Sequence, residues 1–165
     1  MSDRMENSIG RYLGEVGEAH LSDDTKAKIR AMLREIGELE SIGDSFFNVA
    51  RTFRRKRENK IVFGDAQTAS LHDMYHLVEE ALLRMNEILS GQKKDYDIEV
   101  SQEIEGRINE CRNHLKQKTI SDVDNHVYSY DNGTVFMDLI GEFEKTGDYI
   151  MNVAEARLGT SHKEL

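Results

Sequence analysis

Hydrophobic positions along this chain recur at steps of three and four residues, broken by short polar stretches. From about Thr68 to Ser90, Leu71, Met74, Val78, Met85 and Leu89 share one face of a predicted helix, and Gly91 follows as a stop. From about Asp97 to Gln117, Ile104, Ile108, Cys111 and Leu115 form a second stripe. A third helix is predicted from about Thr134 to Leu158, with Gly159 just past its end. The longest begins at Leu21-Ser22-Asp23-Asp24. There Ser22 suits an N-cap, the two aspartates suit the positive end of the helix dipole, and the helix runs to about Arg57 before a turn around Gly64. A shorter lead, about Asp3 to Glu18, places Met5, Ile9, Leu13 and Val16 together but is weakened by Gly10, Gly14 and Gly17. Residues 118–133 are polar and rich in turn formers, which predicts a loop. These elements predict an all-α fold: an up-and-down antiparallel bundle of four long helices over residues 22–165, preceded by a helical lead or linker over 1–21.

Composition narrows the class. The 165 residues include no Pro, as suits long uninterrupted helices. Charged residues make up 32% and apolar ones 38%, enough apolar surface to fold despite a net charge of −9. That charge argues against a nucleic-acid binder, which needs a basic face. The single Cys111 cannot form an internal disulfide and points to a reducing compartment. The imbalance is local: residues 1–64 carry 12 basic and 11 acidic side chains, residues 65–165 carry 10 and 20. Six of the ten residues from Arg51 to Lys60 are basic. Two readings stay open for them, cations stabilising a helix C-terminus and a patch that meets an anionic membrane surface or an acidic partner.

An internal repeat carries the chemistry. Residues 38–50 (ELESIGDSFFNVA) and 142–154 (EFEKTGDYIMNVA) agree at seven of thirteen positions at an offset of 104. On a helical wheel Glu40 falls inside the apolar arc formed by Ile29, Ile36 and Phe47, and Asp44 lies about 40° to its other side. Glu144 and Asp148 repeat that placement. A carboxylate on a core-facing stripe needs a cation, a basic partner or a proton. Two acids at i and i+4 point the same way, which suits shared oxygen coordination of a hard cation; pairing with arginines is the other solution. The repeated Gly43 and Gly147 remove a side chain beside each pair, so a neighbouring helix or an ion can approach.

Other constellations are weaker. A ferritin-like di-iron site needs two Glu-x-x-His motifs, whereas the chain offers a single Asp73-x-x-His76. His72 with His76, Glu110 with His114, and Asp122, Asp124 and His126 lack a complementary ligand in sequence. Phe46, Phe47 and Phe53 read as core. No phosphate-binding glycine loop or nucleophile elbow is present, so no enzyme is expected.

The doubled Glu-x-x-Gly-Asp-x-x-x-Asn-Val-Ala resembles the signature helix of the PhoU family, which regulates phosphate uptake and signalling through bundles of three-helix repeats. The resemblance implies a non-enzymatic regulatory domain in which Glu40, Asp44, Glu144 and Asp148 match an acidic cluster that holds iron or zinc in relatives. Thr68 to Leu158 resembles one complete repeat, and the first signature helix lacks the two helices that would precede it. This shortened form is similar to the cytoplasmic C-terminal domain of bacterial sodium/phosphate cotransporters. The implied partner is a phosphate-transporter membrane domain, in the same chain or a separate one, with the protein cytoplasmic at the inner face of the membrane; a homo-oligomer is a further expectation. Where the family offers another acid pair, this chain has Glu105 and Asn109, a neutral and weaker ligand, and Thr146 stands where the family prefers Ile.

Overall fold

Side chains that accept from their own first turns start three of the long helices. Ser22 accepts from the Thr25 amide at 3.3 Å, Asp97 from Glu99 at 2.9 Å and Ser129 from Asn132 at 3.2 Å. The computed structural model describes residues 2–17, 21–91 and 96–159, and its ordered elements are all helices: α1 (Ser2–Gly17), α2 (Asp23–Glu58), α3 (Asp65–Ser90), α4 (Ile98–Asp124) and α5 (Tyr130–Leu158). Gly91 and Gly159 end α3 and α5 in the left-handed region, at φ 64° and 72°, where a side chain would be strained. Glu18, the last residue expected of the lead, and residues 160–165 of the expected bundle lie outside the described residues.

The all-α bundle is as the pattern predicts, but residues 118–133 are not one loop. α4 continues to Asp124 and α5 already begins at Tyr130, leaving a five-residue connection. Polarity misleads here because the polar residues are used within the helix. Buried Thr119 donates to the Leu115 carbonyl at 2.7 Å, and Lys118 pairs with Asp122 one turn on at 2.9 Å.

α5 packs against α2, α3 and α4, while α2 packs against α5 and α1 and, among the described residues, on no other helix. The molecule is thus an α3–α4–α5 core with α2 laid on the free side of α5. Directions alternate. Gln67 meets Asn132 and Arg112 meets Glu144, so α3 is parallel and α4 antiparallel to α5. Met74, Val78, Ile108, Leu139, Ile140 and Val153 form the centre of the core. At one end the buried Gln67 donates to Asn132 at 2.7 Å, and Asn132 donates to the Val62 carbonyl at 2.8 Å. This satisfied polar network fixes the α2–α3 turn onto the start of α5.

α4 approaches α5 over two glycines. A Cβ on Gly147 would stand 3.0 Å from Ile108, and one on Gly133 would stand 2.5 Å from Val123. Gly133→Ala should therefore cost about 1–3 kcal/mol through overpacking. Gly141→Ala, where a Cβ meets nothing within 4 Å, should be neutral or stabilising by up to about 1 kcal/mol. Urea unfolding of the two variants measures the contrast, and equal effects would contradict the close α4–α5 approach.

Candidate functional site

The two copies of the repeat form an antiparallel helix pair. Asn152 donates to Glu38 at 3.1 Å, and Asn48 donates to Glu142 at 3.4 Å. In repeat numbering these are the same contact made twice, since Glu38 corresponds to Glu142 and Asn48 to Asn152. α2 and α5 are thus related by a local two-fold whose centre lies at the Gly43–Gly147 level. Farther along, Arg34 of α2 bonds Glu155 of α5 at 3.0 Å, although Glu155 is only 2% exposed. A buried carboxylate is stable there because a guanidinium meets it.

The motifs beside this pair have different surroundings. On α5 the helix is covered by α4: Phe143 and Met151 are each 4% exposed. Their counterparts on α2, Leu39 and Phe47, are 39% and 67% exposed, because α2 has only α1 on that side. The expectation that Phe46, Phe47 and Phe53 are core holds for the partly buried Phe46 alone; Phe47 and Phe53 face outward. Likewise the Glu40–Asp44 pair does not face the bundle core. Asp44 is exposed and Glu40 half-buried.

α1 supplies what the sequence reading missed. Ligand atoms of Asp3, Glu40 and Asp44 lie within 4.8 Å of one another, the one such acidic group among the described residues. Burial, then the negative charges of Asp44, Asp3 and Glu6, raise the Glu40 pKa above its ordinary value. Three converging carboxylates fit a hard cation through oxygen ligands. The second copy does not share this group. Glu144 is bonded by Arg112 of α4, so a guanidinium occupies the side where a cation would sit. Glu105 accepts from Asn109 at 2.8 Å, and the buried Asn109 Oδ1 and Arg112 Nε have no partner. Burial first, then Glu144 and Glu105, push Asp148 up to about 6 against the opposing pull of Arg112. The four expected metal ligands therefore fall into two groups, Glu40 and Asp44 with Asp3, and Glu144 and Asp148 with Arg112. No sequence motif marks Asp3; Arg112 is visible only as a lone cation one turn after Ile108 on the α4 stripe.

The remaining candidates are surface pairs. His72 and His76 are exposed with ring centroids 4.3 Å apart, and His76 bonds Glu79 at 3.1 Å. Cys111 is half-buried against the core. In the basic segment Arg54 pairs with Glu58, Arg55 with Asp138, and Lys56 lies over the Phe63 ring at 4.5 Å. None of the described helices is long and apolar enough to cross a membrane. No family model, curated protein or solved structure matches the chain.

A raised carboxylate pKa makes the folded state bind the extra proton, so the destabilising charge of Asp148 is absent below its unfolded value of 3.8 and complete above about 6. Asp148→Asn should therefore raise the urea midpoint at neutral pH, and the gain should shrink as pH falls from about 7 to about 4. A gain that does not change with pH would contradict the raised Asp148 pKa.

Proposed function

We propose that the chain is a non-enzymatic, PhoU-like regulatory domain linked to phosphate transport, with a cation site on its first signature helix. The observation that carries the reading is the duplicated Glu-x-x-Gly-Asp-x-x-x-Asn-Val-Ala helix, whose two copies pack on each other in antiparallel register. The all-helical bundle agrees with it. Asp3, Glu40 and Asp44 would hold the cation, iron or zinc by family resemblance, and the bound charge would tie α1 to α2 by neutralising their mutual repulsion. At Glu144 Arg112 does that service without a metal. The partner in this reading is the membrane domain of a phosphate transporter, and the place is the inner face of the membrane.

The Arg112–Glu144 pair also favours a second reading, a helical interaction module whose acids are satisfied by arginine throughout. Thermal unfolding with added ferrous or zinc ion separates the two. The cation reading expects the wild type to be stabilised, Glu40→Gln to lose that stabilisation, and Glu144→Gln to keep it. A wild type indifferent to both metals favours the metal-free module. Co-purification with a sodium/phosphate cotransporter membrane domain tests the transport link, and its failure with the intact chain would contradict that link.

A further inference from the structure

The two ends of the α2–α5 pair should look alike under the local two-fold, and they do not. At one end Arg34, Glu38, Asn152 and Glu155 close on each other. At the other, a cavity of about 440 Å³ opens between the helices, lined among others by Asn48, Arg51, Thr52, Arg55, Gly141 and Lys145. That volume is within the roughly 300–1,000 Å³ of small-molecule sites. We propose that this cavity binds the phosphoryl group of a small polyanion, through Arg51, Arg55 and Lys145 with the Thr52 hydroxyl.

Four observations support it. First, Arg51 is the counterpart of Glu155, yet Asp138, the counterpart of Arg34, is taken by Arg55. Arg51 is left at the cavity wall with no ion pair among the described residues. Second, Thr52 is 9% exposed and lines the cavity, and its hydroxyl makes no hydrogen bond among the described residues. The helical Thr119, Thr134 and Thr146 all donate to the carbonyl one turn back. The Thr52 hydroxyl is therefore open to the cavity and available to bond a ligand there. Third, nothing within 4 Å fills the space over Gly141, whereas its repeat counterpart Gly37 has the Glu6 carboxylate of α1 at 3.9 Å. An oxyanion-sized group fits over this glycine in one copy, and the other copy is open.

Fourth, the cations are available. Three of them face two carboxylates, Asp138 and Glu142, in a protein of net charge −9. Arg55 and Lys145 are held by Asp138 and Glu142 in pairs that are largely exposed on the cationic side. Exposed ion pairs are weak, so a dianion can draw both cations inward. A phosphoryl group offers two charges and several acceptor oxygens, which suits two arginine forks and an ammonium better than a single carboxylate does.

The test uses the whole chain with three probes: inorganic phosphate, pyrophosphate, and phosphatidylcholine vesicles with or without phosphatidylglycerol. Calorimetry reads the soluble anions and co-sedimentation the vesicles. Arg51→Gln should weaken binding about tenfold or more. Gly141→Leu should do so by filling the cavity with no change of charge, and circular dichroism checks that it folds. Arg30→Gln removes the same charge from α2 outside the cavity and should leave binding unchanged. Binding of pyrophosphate or phosphate identifies a soluble phosphorylated ligand, and binding of the anionic vesicles alone identifies a lipid headgroup. Absence of binding to all three probes overturns the proposal. So does equal weakening by Arg30→Gln, or binding that Gly141→Leu and Arg51→Gln leave intact.

Discussion

The packing of α2 on α5 is the constraint on which the architecture rests. α5 is covered by α3 and α4 on one side and by α2 on the other, so its apolar residues are buried on both sides while Asp138 and Lys145 stay exposed. The α2–α5 contact is made by two copies of one sequence, and reciprocity follows. Whatever Glu38 offers Asn152, Glu142 offers Asn48. Because the polar contacts are hydrogen-bonded at both ends, they set the register of two long helices that apolar packing alone would fix less sharply.

The same motif meets two electrostatic fates because the two helices differ in their other neighbours. α4 covers the α5 copy, bringing Ile108 onto Gly147 and Arg112 onto Glu144. The α2 copy has α1 instead, which brings a third carboxylate, Asp3, to Glu40 and Asp44. Glu144 is met by a guanidinium, whereas Glu40 and Asp44 face more negative charge. Repetition of a sequence therefore does not repeat a site; the helix laid over it decides what the carboxylates need.

Helix existence and the reach of α2 were legible from capping and three-to-four spacing, since Ser22, Gly91 and Gly159 act locally. The 118–133 segment was not, because Thr119 and Lys118 satisfy themselves inside the helix and their polarity marks no break. The repeat was plain, and its Glu40 and Glu144 fell on an apolar arc in both copies. A wheel cannot tell whether anything covers that arc, so the exposure of Phe47 and Asp44 was beyond it. Asp3 and Arg112 enter from other helices at long sequence distance, and only tertiary packing reveals them.

A double-mutant cycle on each of the two reciprocal contacts tests the central claim most directly. Glu38→Ala with Asn152→Ala, and Glu142→Ala with Asn48→Ala, are compared by urea unfolding. Reciprocal packing of the repeat predicts coupling of about 0.5–1.5 kcal/mol within each pair. It predicts none, within about 0.3–0.5 kcal/mol, when Glu38 is crossed with Asn48. Additivity within both pairs would contradict the antiparallel register of α2 on α5.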